Sequence, residues 1–442
     1  MSETNSNEGL KRVVGVPGLA LTVVNFSIGA GIYVLPALIG IQLGAASVFG
    51  YVLCGLMFAA IMLCYVEIGS RVKRTGGSYA YVESAFGPFA GYIVNWLFFF
   101  GWSIISDAAI MNMVLDSLAV LFPALKDSMI RFSILAILIG LMIFVNVRSA
   151  KQSVRFVEVV TIIKLLPLIG IIIFGFRYID LANFRIEHFP SIDALDSTAL
   201  ILFFAFAGFE TSLNISGEIK NPERTVPMGV LIGGLIVFAI YILIQTITQG
   251  VLGPNLVEYK DAPLAGVAGK IVGAVGVTIL LIGAAISGLG SVNGDVLASS
   301  RLLFAGARDG LFPKFLGKIH SKFETPAFAI TAYAILIFVF SASGGFKQLA
   351  VLASGALLLI YLAVILALIK LRMNKEEPAE KTFKIPGGLI VPIIGIATIL
   401  YVLSNLTKME MISILIFVAV VCVFYFVMVK LKSYSIITPK KK

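Results

Sequence analysis

Residues 25–36 read NFSIGAGIYVLP, and they lie inside an apolar run that is long enough to cross a membrane. Gly29, Gly31 and Pro36 all weaken a helix, and the two glycines fall about 15 residues, or roughly 22 Å, into the run. Such residues fit either of two structures. They allow neighbouring helices to pack closely, or they mark an unwound segment whose N–H groups meet an anionic ligand group. The spacing by itself leaves both interpretations open.

The composition of the whole chain indicates that this run is one of many. The chain has 442 residues, of which 59% are hydrophobic and 13% charged, and its mean hydropathy is +1.00. Ordinary soluble domains carry about 25% charged residues, so this composition excludes a soluble fold. Apolar runs of roughly 20 residues, the length that spans a hydrocarbon core, recur along the chain. We therefore predict an all-α polytopic membrane protein.

The apolar runs divide into twelve predicted transmembrane helices. Their ranges are 14–38, 45–69, 89–117, 129–147, 155–177, 196–217, 227–251, 273–299, 326–343, 348–371, 386–406 and 409–430. Segment 262–272 is predicted to be a short surface helix before the eighth span. Lys and Arg are concentrated on the side of both termini, which the positive-inside rule places in the cytoplasm. The net charge of +10 therefore reflects topology and not nucleic-acid binding.

Residue types that carry metal or enzymatic chemistry are scarce in the predicted spans. His188 and His320 fall in connecting segments, which argues against a histidine metal site inside the membrane. The three cysteines lie in apolar runs and are interpreted as small core residues. The sequence contains no GxxxxGKS/T phosphate loop, and the polar N-terminus does not resemble a cleavable signal. We expect no metal, no cofactor and no enzymatic activity.

A second weak point lies in the sixth span, where residues 203–212 read FFAFAGFETS. Gly208 interrupts this run, and Glu210 follows at a depth where a carboxylate is costly. Breaks in the first and sixth spans, five spans apart, are typical of a transporter built from an inverted repeat. The pairing therefore favours a functional role for both breaks. For Glu210 alone, a carboxylate that is satisfied by neighbouring backbone remains an alternative.

Other ionisable residues also fall within or near the spans. Lys164 lies near the predicted bilayer midplane, so it must be paired, lie in a wet cavity or lose its charge; a structural ion pair is the alternative to a functional role. By depth alone, Asp107 and Asp295 are placed at the membrane interface. Glu67, near the cytoplasmic end of the second span, is expected to pair with an arginine. Two tryptophans of the third span, Trp96 and Trp102, are interpreted as packing or belt aromatics.

Three segments resemble the signatures of amino acid–polyamine–organocation (APC) permeases. They are SIGAGIYVLP, AGFETS…GEIKNPERTVP and ASSRLLFAGARDGLFP, and the similarity extends from about residue 12 to 430 in the same order. The resemblance implies the leucine-transporter-type fold: a five-plus-five inverted repeat with two extra C-terminal helices. The implied divisions are a cytoplasmic tail (1–13), a first repeat (14–177), a second repeat (196–371), helices 11 and 12 (386–430) and a basic cytoplasmic tail (431–442).

The resemblance also implies a central substrate site between spans 1, 3, 6 and 8. The substrate carboxylate would meet backbone amides of Gly29, Ala30 and Gly31. Its ammonium group would meet carbonyls near Ser27, Phe204 and Ala207. Phe204 is also the implied aromatic gate, and the further substrate-binding positions are Ser103, Gly208 and Asp295.

Three positions carry implied coupling or selectivity roles. Lys164 matches the span-5 lysine of proton-coupled, sodium-independent members, where an ammonium group takes the place of a sodium ion. Glu210 matches the acidic residue after the break in arginine and polyamine exchangers. Asp295 stands where many relatives have tryptophan, which places it near the pocket, against the depth argument. Asp107 is a further candidate for selectivity.

The resemblance and the two breaks together predict a secondary active transporter, a proton-coupled symporter or an exchanger that works by alternating access. The acids near the path slightly favour a cationic amino acid or polyamine, and neutral aliphatic or aromatic amino acids are the alternative. A channel or a membrane scaffold is the alternative from another class. The expected partners are the substrate, protons and the lipid bilayer, and the protein is expected to be a monomer or homodimer in the cytoplasmic membrane.

Overall fold

The computed structural model describes residues 12, 14–72, 76–148, 164–186, 189–308, 312–323, 325–373 and 382–437. Most of the predicted N-terminal tail, the first part of the fifth span and the end of the basic tail lie outside the described residues, as does His188. Within the described ranges, β contact is limited to one isolated parallel bridge between Val14 and Ile219. The described chain is otherwise built from helices and their connections, as the composition predicts.

The helices follow one another closely along the chain. They are α1 (Val16–Ser27), α2 (Leu35–Leu43), α3 (Ser47–Arg71), α4 (Gly77–Phe86), α5 (Pro88–Trp96), α6 (Ile105–Leu121), α7 (Ser128–Arg148), α8 (164–175), α9 (Ile192–Phe206), α10 (Pro222–Leu252), α11 (Pro263–Val272), α12 (Ala274–Arg308), α13 (Ala327–Ser343), α14 (Phe346–Met373), α15 (Ile390–Ser404) and α16 (Lys408–Ile437).

Each predicted span coincides with helical structure in the described residues. Eight helical stretches in the described part are long and apolar enough to cross a membrane. Four further apolar helices are shorter: α1, α11, α13 and α15. The predicted short helix before the eighth span is present as α11, but its placement on the surface was wrong, because the residues from Pro263 to Ala268 are buried. These findings confirm an all-helical polytopic protein, whereas the count of twelve spans, the inverted repeat and its boundaries stay predictions.

The third predicted span contains a feature that the sequence did not indicate. Between α5 and α6 the chain forms a π-helix over Leu97–Ile104. The extra residue per turn in such a segment rotates the side chains that come after it, and π-segments are frequent at functional sites. Here the wide turn carries Trp102 and Ser103, both of which are buried.

Packing of the helices separates a lipid-facing surface from a polar interior. On α16 most large apolar side chains of the described residues are exposed, and on α7 few residues are buried, as expected of helices at the edge of a bundle in lipid. In the interior, α1 packs chiefly against α10, and α12 packs chiefly against α6. The candidate site lies where the ends of α1 and α9 meet α6 and α12.

A cluster of charged residues ties α3 to α14 and to the chain before α15. Glu67 is fully buried, and it accepts hydrogen bonds from Arg71 (2.5 Å), from Arg372 (2.8 Å to Nε) and from the backbone N–H of Ile385 (2.8 Å). We call Glu67, Arg71 and Arg372 the Glu67 cluster. The predicted pairing of Glu67 with an arginine is confirmed.

Candidate functional site

The first-span break occurs within the stretch NFSIGAGIYVLP. Helix α1 ends at Ser27, a short 3-10 helix covers Ala30–Tyr33, and α2 begins at Leu35. The N–H of Gly29 donates to the carbonyl of Ser27 (2.9 Å). The amide of Gly29 therefore already has a hydrogen-bond acceptor. Of the three amides predicted to bind the substrate carboxylate, those of residues 30 and 31 remain as candidates.

The sixth-span break lies directly against the first. Helix α9 ends at Phe206, Gly208 has φ +111°, and a 3-10 helix continues over Phe209–Glu218. A Cβ at Gly208 would lie 2.5 Å from the carbonyl oxygen of Phe26. Glycine is required here for two reasons, since its φ is positive and the neighbouring backbone leaves no room for a side chain. The interpretation of both glycine-rich stretches as helix breaks is confirmed.

A cavity of about 290 Å³ opens beside the two breaks. Of the residues predicted for the site, Gly29, Ser103, Lys164, Gly208 and Asp295 line this cavity. Polar and apolar groups are mixed in its wall, as in many small-molecule sites.

A second, smaller space of about 40 Å³ adjoins the cavity, and it is lined by the predicted residues Ser27, Gly31, Phe204 and Ala207. Both spaces share five lining residues: Phe26, Gly29, Trp102, Ser106 and Ile110. Most of the predicted substrate positions therefore surround one region, and Ala30 begins the 3-10 helix beside it. Contact of these residues with a substrate stays a prediction.

Lys164 holds the first break from both sides. Its Nζ donates to the carbonyl of Asn25 (2.7 Å), and its own carbonyl accepts from the hydroxyl of Tyr33 (3.0 Å). Asn25 precedes the break and Tyr33 follows it. The side chain of Lys164 is 2% exposed, and Asp295 is its electrostatic partner. A movement of the break must therefore move Lys164 or separate it from α1.

Asp107 is buried in the helix bundle and Asp295 borders the cavity, so neither has the exposed position that the depth argument suggested. Asp107 is fully buried within the helix bundle, where the hydroxyl of Tyr333 donates to its Oδ2 (2.8 Å). Its Oδ1 meets no N–H or O–H donor in the part of the chain that the structure describes, and the carboxyl of Asp295 is its polar neighbour. The depth argument failed because Asp295 lies in a long helix that borders the cavity from within.

Glu210 lies behind the second break and lines neither of the two spaces. Its carboxylate accepts from the N–H of Gly208 (3.0 Å) and from the hydroxyl of Tyr361 on α14 (2.8 Å). This is the arrangement in which neighbouring backbone satisfies the carboxylate. A coupling role for Glu210 would therefore act through the break and α14, and it stays a prediction.

Phe204 closes one side of the smaller space. Its ring meets Trp102 edge-on (5.7 Å between centroids) and Phe346 likewise (5.8 Å), and it is 8% exposed. The interpretation of Trp102 as a packing or belt residue is incomplete, because Trp102 also lines both spaces. Trp96 does pack, stacked on Phe100. The gate role of Phe204 stays a prediction.

Sequence reasoning missed several lining residues, chiefly Trp102, Ser106, Thr211 and Ser291. Serine and threonine in an apolar span are common, so their presence alone is no signal, and the position of Trp102 depends on the π-helix. Among the described residues, no group of three or more His, Cys, Asp and Glu side chains is placed to hold a metal ion.

The chain is similar to known permeases and transporters over most of its length. A family model described as amino acid permease matches residues 14–430. The methylthioribose transporter of Bacillus subtilis (strain 168) is 27% identical, over 96% of this chain and 95% of that protein. The serine/threonine exchanger SteT of the same species is 29% identical, over 90% and 92%. Cationic amino acid transporter 9, chloroplastic, of Arabidopsis thaliana is 30% identical, over 72% and 59%. The substrates in these names differ.

Proposed function

This chain belongs to the amino acid permease family, and from its two broken helices we propose that it is a secondary active transporter that works by alternating access. It is a multi-pass membrane protein, and its relatives from Bacillus subtilis are transporters rather than enzymes. We further propose that it lies in the cytoplasmic membrane, with both termini in the cytoplasm, as a monomer or homodimer. Protons or a counter-transported substrate would drive it.

We propose that the breaks bind the α-carboxylate and α-ammonium groups of the substrate. Backbone amides at the start of a half-helix favour an anion, and the amides of residues 30 and 31 are the candidates for binding the carboxylate. Carbonyls near Phe204 and Ala207 are the candidates for the ammonium group. The carbonyl of Ser27 is less available, since it accepts from Tyr241 (3.2 Å) and from the N–H of Gly29.

We propose neutral amino acids as the substrate class, and a single observation supports this choice. The acidic side chains near the cavity are already compensated inside the protein: Tyr333 donates to Asp107, Gly208 and Tyr361 donate to Glu210, and the positive charge of Lys164 acts on Asp295. A carboxyl group with a partner is a poor receptor for a substrate cation, because the partner must first be displaced.

Cationic amino acids and polyamines remain the second candidate. Asp295 borders the cavity, so a substrate cation that displaced Lys164 could reach it. The preference for cationic substrates rested on the number of acids near the path. It loses that support once their partners are considered, whereas the apolar surface of Trp102, Ile110 and Phe204 suits an aliphatic side chain.

Counterflow in proteoliposomes tests the transporter and the substrate class together. Vesicles preloaded with an unlabelled neutral amino acid should accumulate the same labelled compound transiently, and a channel shows no such counterflow. Competition by the common amino acids and several polyamines, at two pH values, then ranks the substrates. Protein-free vesicles are the control. Absence of counterflow with every compound would remove the transporter proposal, and stronger competition by lysine or a polyamine would reverse the substrate class.

A further inference from the structure

We propose that Asp107 and Asp295 form a carboxyl pair that holds one shared proton, and that this proton is the one that moves with the substrate. The inference rests on the proposed function, since it assigns the coupled ion of that transporter. It also differs from the roles implied by the family resemblance, which assign coupling to Lys164 and Glu210. From here on, the carboxyl pair means Asp107 and Asp295.

The geometry of the pair requires a donor between the two groups. The carboxyl groups come from two helices that pack closely, α6 and α12, and they are in side-chain contact. Tyr333 supplies a donor to one oxygen of Asp107, and the other oxygen is buried with no N–H or O–H donor in the described residues. Ionised carboxylates only accept, so two of them in contact repel unless one carries a proton. A shared proton satisfies both the contact and the buried oxygen.

The balance of charge around the pair leads to the same result. The ionisable groups that face the pair are Lys164 from α8, Tyr333 from α13 and, at longer range, Glu210 from the 3-10 helix after α9. Lys164 supplies one positive charge, which can offset one carboxylate. A second ionised carboxyl group would leave an uncompensated buried charge, which is strongly unfavourable. One proton on the carboxyl pair removes this uncompensated charge.

The position of the pair links the proton to the substrate. Asp295 borders the cavity, and Asp107 lies behind it without lining the cavity. Asp295 is therefore the member that exchanges the proton with water in the cavity. The ammonium group that compensates Asp295 is anchored on the carbonyl of Asn25, just before the first break. Substrate bound at the break would shift Asn25 and Lys164 together, change the charge that Asp295 meets, and so change the hold of the pair on its proton.

The test is transport by Asp107→Asn and Asp295→Asn proteins in proteoliposomes. Asparagine keeps the shape of the side chain but cannot give up a proton. We expect accumulation driven by a pH gradient to fall by at least about tenfold, a typical size for a coupling effect between two sites. Counterflow at equal pH should fall much less. Because a single proton is shared, the double variant should be no worse than the more impaired single variant.

The control is Asp116→Asn, on the same helix as Asp107. Asp116 pairs with Arg131 (2.7 Å) near the other end of α6 and is partly exposed. This variant should keep gradient-driven accumulation. If the wild-type protein shows counterflow and either pair variant keeps full gradient-driven accumulation, the inference is wrong although the proposed function stands. If the wild-type protein shows no counterflow at all, the proposed function itself fails.

A spectroscopic measurement tests the shared proton without transport. Infrared difference spectra of the protein in membranes, taken between two pH values, should contain a band from a protonated carboxyl group that is absent in both Asp107→Asn and Asp295→Asn. The Asp116→Asn protein should keep it. A band that persists unchanged in both pair variants overturns the assignment, and loss in only one variant shows that the proton is not shared. Size-exclusion chromatography confirms that each variant is folded.

Discussion

Two regions of this molecule bury carboxyl groups and compensate them in opposite ways. In the Glu67 cluster one carboxylate meets two arginines and a backbone amide. Around the central cavity there are three carboxyl groups: the charge of Lys164 acts on Asp295, and the donors to Asp107 and Glu210 are tyrosine hydroxyls and the amide of Gly208. The Glu67 cluster has more cationic side chains than carboxyl groups, and the region around the cavity has fewer cationic side chains than carboxyl groups.

The difference separates a structural site from a functional one. An arginine keeps its proton under all ordinary conditions, so a carboxylate between two arginines stays ionised and fixed. Where cations are fewer than carboxyl groups, protons must make up the balance, and protonation becomes a variable of the site. The Glu67 cluster therefore fastens α3, α14 and the segment before α15 in one arrangement, whereas the centre can change its charge during a transport cycle.

Replacing Lys164 tests the central half of this comparison, and we expect the largest effect here. Lys164→Ala removes the positive charge beside Asp295 and the bond to Asn25. Without it, both carboxyl groups of the pair will hold protons and the centre no longer responds to pH. We expect pH-dependent uptake to be abolished, or its pH dependence to be lost, while the protein still inserts. Labelled uptake over a range of pH values measures this.

The matched control is Lys347→Ala, an exposed lysine at the start of α14. Its uptake should keep the wild-type pH profile. If Lys164→Ala transports as well as the wild-type protein and with the same pH dependence, the single lysine does not set the charge of the centre. The contrast between the two regions would then have no functional meaning.

Glu67→Gln tests the other half. Glutamine keeps the size of the side chain but leaves two largely buried arginines without a counter-charge. Removing one partner of a buried ion pair costs about 3–5 kcal/mol. We expect a value near the lower end, because the arginines retain some access to water. Thermal unfolding of the protein in detergent measures the loss, and exposed Glu258→Gln is the control. Unchanged stability would show that the cluster does not fasten these helices.

The sequence was sufficient to find the two breaks once the first and sixth spans were considered together. Gly29, Gly31 and Gly208 interrupt apolar runs, where glycine weakens a helix, and their occurrence five spans apart favoured breaks over close helix packing. The predicted break residues Gly29 and Gly208 do border the cavity, whereas Ser103 and Asp295 were placed there by the family resemblance. Helix existence was predictable for a similar reason, as twenty apolar residues in lipid have few alternatives to a helix.

Pairing across the bundle was not predictable, because its partners are far apart in the chain. The bond from Lys164 to Asn25 spans 139 positions, and that from Tyr333 to Asp107 spans 226. Depth along an ideal straight helix does not tell which way a side chain faces, and the π-helix before α6 rotates the residues after it, including Asp107. A single sequence carries no signal for that extra residue in a turn, so Trp102 was misjudged with it.

A smaller effect is expected at the point where the two breaks touch. Gly208→Ala places a methyl group 2.5 Å from the carbonyl oxygen of Phe26, at a φ of +111°. The left-handed backbone alone costs an alanine about 1–2 kcal/mol. We expect at least that loss of stability together with reduced uptake, because the breaks must also separate to accept the methyl group.

Gly140→Ala on α7 is the control for the glycine substitution. Nothing lies within 4 Å of a Cβ built there, and the residue is helical. Alanine should stabilise that helix by up to about 1 kcal/mol. If Gly208→Ala proved as harmless as Gly140→Ala in both unfolding and uptake assays, the contact between the two breaks would not matter for the site. The central cavity would then depend on its charges alone.

The smallest effect is expected for Tyr361→Phe, which asks whether Glu210 belongs with the fixed or the variable carboxyl groups. The change removes the hydroxyl that donates to Glu210 (2.8 Å) and leaves the amide of Gly208 as a donor. A lost buried hydrogen bond costs about 1 kcal/mol.

The control is Tyr51→Phe, since the buried hydroxyl of Tyr51 has no hydrogen-bond partner in the described residues. If Tyr361→Phe only lowers thermal stability and keeps the pH profile of uptake, Glu210 is a structural cap on the second break, like Glu67 in its own cluster. A shifted pH profile would instead place Glu210 with the carboxyl pair, since a site short of cations responds to the loss of any single donor.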